Sequence, residues 1–350
     1  MTIYVNARFL TQELTGVQRF AEQVSLALNI RRNDLIFVSP DGVLRKDVAK
    51  ELNVKIISGG TGHKWEQVAL PSFLRKKGSP LLLNLGSTAP VFYNNKIMTH
   101  HDVTYKRYPQ SYSRKFRLLY NSLIPLMLRG SKHVITVSEF SKNEIAKVYS
   151  FPHEKISVVY NAVGADFSPA YGGGKGNYFL AVSSPNYHKN FHGMIEAFIA
   201  LNKESNVKLK IIGKASASFS TMDFSEFLST SDKVEFMGRV DDSQLIELYQ
   251  NALAFVFPSF YEGFGLPPLE AQACGCPVMS SNQASMPEVL KNSVLYFDPA
   301  NMDDMKNAMN KMISDTETRN RLINAGYENS KRFSWEESAL KVSSLLNSLS

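Results

Sequence analysis

Twice along its length the chain alternates short, nearly continuous apolar runs with longer stretches of helical periodicity. Such alternation fits a parallel sheet covered by helices, because a strand buried on both faces has no polar side to show. In the first half Thr2–Val5, Leu35–Val38, Lys55–Ile57, Leu81–Asn84, Lys96–Thr99 and His133–Val137 read as strands. Helices are predicted over Val17–Leu28, Glu66–Lys76, Arg114–Leu128 and Glu139–Tyr149, the last with Ser138 placed to cap its first turn. Periodicity breaks at Ser168–Gly176, where Gly172, Gly173 and Gly174 make a flexible joint. It resumes with strands at Tyr178–Val182, Lys208–Ile212 and Val234–Phe236 and helices at Phe191–Leu201 and Asp242–Asn251. The fold class is therefore α/β, with two Rossmann-like doubly wound parallel-sheet domains, residues 1–168 and 169–334. Ligands are expected in a cleft between the facing carboxyl ends of the two sheets.

The most informative short stretch follows the apolar run Ala252–Phe257: Pro258-Ser259-Phe260-Tyr261-Glu262-Gly263-Phe264-Gly265-Leu266-Pro267-Pro268-Leu269-Glu270-Ala271. It reads as strand, turn and helix. Gly263 and Gly265 permit a tight path and close backbone approach, while Pro267 and Pro268 suit a helix's first turn. First-turn amides backed by the helix dipole attract an anion. Glu262 then stands at the rim and Glu270 about one turn into the helix, two acceptor-only carboxylates suited to the vicinal hydroxyls of a sugar and a ribose. An ordinary strand-turn-helix with a surface glutamate also meets that spacing, so the neighbouring segments decide.

They do so by resemblance. The stretch, continued by Ala273-Cys274-Gly275-Cys276-Pro277-Val278 and Pro287-Glu288-Val289, resembles the signature of the retaining GT-B glycosyltransferases of family 4, a group rich in mannosyltransferases. The resemblance covers both halves and implies that the last helix, 335–350, packs back onto the first domain. It implies transfer of a hexose, with retention of anomeric configuration, from a nucleotide-diphosphate sugar. GDP-mannose is the first donor expected, with rhamnosyl and UDP-hexose donors close behind. In Ser183-Ser184-Pro185-Asn186-Tyr187-His188-Lys189-Asn190 the positions of Lys189 and Asn190 match the family's phosphate-binding loop. Ser183 replaces its usual glycine and His188 its usual arginine, which opens the alternative of a non-catalytic nucleotide-sugar sensor. His101-Asp102 resembles the His-Asp pair at a first-domain strand end, with His101 orienting the transferred sugar. Gly16, in Leu14-Thr15-Gly16-Val17-Gln18-Arg19, resembles the first-domain glycine loop. Gly238 and Arg239 occupy the turn that borders the nucleobase in the family. The donor set implied is thus Gly16, Ser183, His188, Lys189, Gly238, Arg239, Gly263, Phe264, Gly265, Leu266 and Glu270, with His101 and Glu262 nearest the chemistry.

At 350 residues with 44% hydrophobic residues the chain can bury two cores. Its formal net charge of +7 favours an anionic partner, and the motifs choose a phosphorylated ligand over nucleic acid. Cys274 and Cys276, the only cysteines, are spaced poorly for a disulfide or metal clamp and read as reduced cytoplasmic thiols. No metal and no cofactor beyond the donor substrate is expected. No run approaches the length of a membrane span, so the protein reads as soluble or peripheral. The basic and aromatic segment 106–120, with Tyr108, Tyr112, Arg114, Lys115, Arg117 and Tyr120, suits the inner face of the cytoplasmic membrane and a lipid-linked glycan acceptor. Those features together predict synthesis of a surface polysaccharide or lipopolysaccharide O-antigen.

Overall fold

The computed structural model describes residues 2–170, 175–182, 186–201, 206–213 and 232–349. Their contacts divide them into two units. The first holds Met1–Val103, Ser113–Asn161 and Ser334–Ser350, and the second Thr104–Tyr112 and Ala162–Phe333. The glycine run expected to mark the boundary lies partly outside the described residues. The units part earlier, after Asn161, because Phe167 packs against the Tyr249 ring at 6.4 Å between centroids within the second unit. A further difference is Thr104–Tyr112, which belongs to the second unit although its sequence lies among the elements of the first.

The first unit contains β1 (Ile3–Asn6), β2 (Leu35–Ser39), β3 (Lys55–Ile56), β4 (Leu82–Asn84), β5 (Lys96–Thr99), β6 (His133–Thr136) and β7 (Ile156–Val158). They pair in parallel in the order β3-β2-β1-β4-β5-β6-β7. Every residue of β1, β4 and β5 is buried, as the apolar runs require. Ser138 accepts the Ser141 amide at 3.0 Å and starts the helix Glu139–Tyr149. The helix Trp335–Leu349 packs here too: Trp335 meets Phe20 edge to face, and Ser338 Oγ donates to Tyr160 O at 2.6 Å.

The second unit contains β8 (Tyr178–Val182), β9 (Lys208–Ile212), β10 (Val234–Gly238), β11 (Ala254–Phe257), β12 (Val278–Ser281) and β13 (Leu295–Phe297). Their order is β10-β9-β8-β11-β12-β13, again all parallel. The core joins Phe179, Leu209 and Val256 on the sheet to Phe198 of the helix Phe191–Leu201 and Met309 of the helix Met302–Ser314. Cys274 and Cys276 are buried free thiols, and burial pushes both up to about 12, which keeps them protonated.

Candidate active site

A doubly wound sheet opens a crevice where its strand order reverses, at the carboxyl ends. In the second unit that point lies between β8 and β11. The loop after β8 begins at Ser183, outside the described residues, and continues as the 3-10 turn Tyr187–Lys189. The loop after β11 is the glycine turn read from the sequence. The two loops meet: Lys189 Nζ donates to Glu262 Oε1 at 2.5 Å, Ser259 Oγ donates to the same oxygen at 2.7 Å, and the Phe260 amide bonds His188 O at 2.8 Å. Both partners of the ion pair keep some exposure, 19% for the Lys189 side chain and 13% for that of Glu262. Ser285 Oγ donates to the Glu262 carbonyl at 2.9 Å and fixes the backbone from below.

Gly265 caps the helix Leu266–Ala273 at φ +85°, a left-handed conformation open to glycine. No side chain caps this helix, and Pro267 and Pro268 follow Leu266 in its first turn, so of the helix's first three residues only Leu266 carries an amide hydrogen. Phe264 sends its ring into the core, edge to face on Phe333 at 5.4 Å, so its side chain anchors the turn. Glu270, 6% exposed, lies within that helix, and Tyr249 Oη donates to its Oε2 at 3.4 Å. The two glutamates therefore differ: Glu262 sits in an ion pair at the rim, and Glu270 is buried beside a phenol.

His188 is placed differently from a phosphate ligand in open solvent. It is buried, its Nδ1 lies 2.9 Å from Ser111 Oγ, its amide donates to the same oxygen at 3.1 Å, and its ring stacks on Tyr112. Tyr108 stacks on Phe260 at 6.2 Å. The strap Thr104–Tyr112 thus holds both loops of the site from within the second unit. The expected basic-aromatic segment 106–120 is split by this: Tyr108 and Tyr112 are spent on packing, whereas Arg114 and Lys115 stay exposed on the first unit's helix Arg114–Arg129. Gly238 and exposed Arg239 lie at the end of β10, an edge strand separated from β8 by β9.

In the first unit Gly16 opens the helix Gly16–Arg31 in an exposed position, with nothing within 4 Å of where a Cβ would stand. His101 is 9% exposed, edge to face on Phe20 at 5.1 Å, and its Nε2 has no hydrogen-bond partner among the described residues. Burial pushes its imidazole down to about 4, against the pull of Asp102, so the ring is neutral near pH 7. Sequence reasoning did not single out Ser259, Ser285, Tyr249 or Ser111. Only Ser259 left a local signal, three residues before Glu262; the others come from distant segments.

Two parallel-sheet units, each reversing its strand order within its sheet, make the GT-B fold. Residues 170–329 match the family described as glycosyl transferases group 1, and residues 15–167 match glycosyltransferase family 4. Over 240 residues the chain is 36% identical to the O-antigen chain mannosyltransferase RfbU of Salmonella typhimurium, covering 68% of this chain and 65% of that protein. Over 255 residues it is 31% identical to O-antigen chain mannosyltransferase B of Escherichia coli, covering 69% and 67%. The matched stretch leaves about a third of each relative's length unpaired. Anabaena Alr3699/HepE, solved in complex with UDP-glucose, superposes with a TM-score of 0.77 at 16% identity, covering 99% of this chain and 100% of that one. The chain belongs to the family 4, or group 1, glycosyltransferases.

Proposed function

We propose that the protein transfers a hexose, first mannose from GDP-mannose, with retention of configuration to a lipid-linked glycan in O-antigen or related surface polysaccharide synthesis. The observation that carries this reading is the Lys189–Glu262 pair at the second sheet's switch point, beside a helix opening on Gly265. A diphosphate docking there competes for the Lys189 ammonium, since a charge-assisted bond to phosphate replaces the one to carboxylate. Glu262 is then released to accept hydroxyls of the donor sugar, and the turn amides share the diphosphate charge. Glu270 receives the ribose hydroxyls in the family's manner, while His101 orients the transferred sugar through a neutral ring that does not repel developing positive charge. A front-face route lets the leaving diphosphate take the acceptor proton, so positioning is the protein's main task. Two relatives named as O-antigen chain mannosyltransferases support mannosyl transfer and the pathway.

The test is a panel of GDP-, UDP- and dTDP-sugars read by thermal stabilisation and by release of nucleoside diphosphate with a lipid-linked acceptor. Stabilisation and turnover by GDP-mannose are expected, and Glu270→Ala should lose nucleotide affinity while Glu262→Ala mainly loses turnover. Tight binding of a donor without turnover in the presence of acceptors would instead favour a sensor. Among the described residues no helix is long and apolar enough to cross a membrane. Contact with an anionic bilayer is assigned to exposed Arg114 and Lys115 with Leu118, 73% exposed, on the same helix. Replacing Arg114 and Lys115 by serine should abolish co-sedimentation with phosphatidylglycerol vesicles and leave donor hydrolysis unchanged; undiminished co-sedimentation removes this part of the proposal.

A further inference from the structure

Strand β7 ends the first sheet and pairs on one side only, with β6. The Val159 amide bonds Thr136 O at 2.8 Å, and alternate residues of a parallel strand serve the same neighbour. Ser157 therefore turns its backbone groups to β6, while the amides and carbonyls of Ile156 and Val158 face outward, an open edge able to take another strand. Each face of that edge has a helix. The steps from β1 to β2 and from β6 to β7 run in opposite directions across the sheet, so right-handed connections put the helices Gly16–Arg31 and Glu139–Tyr149 on opposite faces. The helix Trp335–Leu349 lies on the side of Gly16–Arg31, where Arg32 Nη1 donates to Ser343 O at 3.2 Å.

Between these two walls a groove of about 590 Å³ opens within the first unit alone. Its floor is β7 itself, one wall is Lys142, and the other carries Leu340, Lys341 and Leu345. A groove with a main-chain floor and a helix on either side has the shape of a missing strand, because the side chains of an added strand alternate and one set passes under each helix. An extended peptide gains main-chain bonds from the outward groups of Ile156 and Val158, and its alternate side chains set its specificity. Leu340, 50% exposed, offers such a side chain an apolar surface.

Charge selects the occupant. The lining holds two lysines and no carboxylate. Neither Lys142 nor Lys341 forms an ion pair among the described residues, and Lys341 instead lies over the Tyr160 ring at 5.0 Å. Exposed Lys155 adjoins the start of β7. His133, which begins β6 and whose Nε2 lies 2.8 Å from Ser157 Oγ, is held below the ordinary histidine value by burial first and then by Lys142 and Lys155, so the positive field reaches across the strand pair. A second copy of this chain is a poor occupant, since it would set these lysines against their own counterparts, and lysine beside a short edge strand discourages such self-pairing. The geometry points to the open edge of β7 as the docking site for an extended, acidic segment of a partner protein, which adds to the first sheet as a further strand. Its glutamates or aspartates meet Lys142 and Lys341, and its apolar residues meet Leu340 and Leu345. None of these groups belongs to the donor site, so a partner held here leaves the groups of that site untouched.

The probe is a fluorescein-labelled hexapeptide of alternating valine and glutamate, titrated with the full chain and read by fluorescence polarisation. A peptide of alternating valine and lysine serves as its counterpart. Two further versions of the glutamate peptide carry N-methyl groups on all valines or on all glutamates, each blocking the main-chain donors of one edge. Saturable binding of the glutamate peptide is expected, with none of the lysine peptide, and at least one of the two methylated versions should lose it. The double variant Lys142→Glu, Lys341→Glu should weaken binding about tenfold, as two exposed charge pairs turn from attraction to repulsion, and should gain the lysine peptide. Val158→Pro removes an outward amide and none that bonds β6, so it should also weaken binding. The charge-reversed variant, altered only in side chains on the groove's walls, keeps the test decisive if the proline variant fails to fold. No saturable binding, equal binding of the two charged peptides, full binding of both methylated versions, or an unchanged preference after charge reversal overturns the assignment. So does a dimer in sedimentation velocity that Val158→Pro dissolves, since the edge then pairs with a second copy.

Discussion

His101 keeps a neutral imidazole in the folded protein, and that makes it a pH-dependent element of stability. Its folded pKa, near 4, lies below the ordinary 6.5, because burial disfavours the charged ring. Between those two values the unfolded chain binds the extra proton and the folded chain does not, so stability rises with pH across this window and is complete above about 6.5. The largest effect this single shift can have is about 3 kcal/mol. Urea unfolding midpoints are therefore expected to fall as pH is lowered from 7 towards about 4.5. His100 is pushed down to about 4 as well, so His101→Asn should remove only part of the acid sensitivity. An unchanged slope in that variant would mean that the ring is already protonated in the native state.

At the scale of elements, the turn after β11 tests how far local geometry is dictated by one residue. A Cβ on Gly265 would stand 2.4 Å from Met286 Cε, at a φ that side chains rarely adopt. Gly265→Ala is expected to cost about 1–3 kcal/mol and to lower turnover by displacing the amides beside Glu262. Adding Met286→Ala should relieve the clash and leave the backbone strain, so thermal unfolding of the double variant should recover only partly. Full recovery would mean that φ is unstrained. This turn was legible in the sequence because glycine, proline and glutamate all lie within one short segment. Strands β5 and β8 were read to the residue for a similar reason, each being an apolar run between polar residues, and β9 was read to the residue although Lys210 interrupts its apolar residues. Strand β12 was not, since Ser280 and Ser281 are buried yet polar, and β7 is only Ile156-Ser157-Val158. The buried ion pair of Arg8 with Glu66 in the first unit was invisible for another cause: its partners stand 58 residues apart and only the folded sheet joins them. His188 was found by its place in a loop, but its partner Ser111 is 77 residues away, in a strap no periodicity marks.

The whole molecule ties its chain ends to one unit. The first unit is completed by Trp335–Leu349, whose Trp335, Ala339, Val342 and Leu346 are buried and whose Ser343 and Asn347 accept hydrogen bonds from Arg32. Each large apolar side chain so buried contributes about 1.5–3 kcal/mol, and a domain's net stability is only about 5–15 kcal/mol. Ending the chain after Phe333 therefore removes an amount comparable to the first unit's whole margin. The second unit loses no described residue by that cut, and Lys189, Glu262, Gly265 and Glu270 all lie within it. Limited proteolysis of the truncated chain is expected to digest 2–103 and 113–161 rapidly while leaving a core of Ala162–Phe333 with the strap Thr104–Tyr112 still bound to it. Nucleotide should slow digestion of that core, since a ligand held at 100 times its Kd stabilises the state it binds by about 2.7 kcal/mol. Equal resistance of both units after truncation would show that the last helix is dispensable to the first. Loss of nucleotide protection with the core intact would show that the donor groups of the second unit do not suffice to hold the nucleotide.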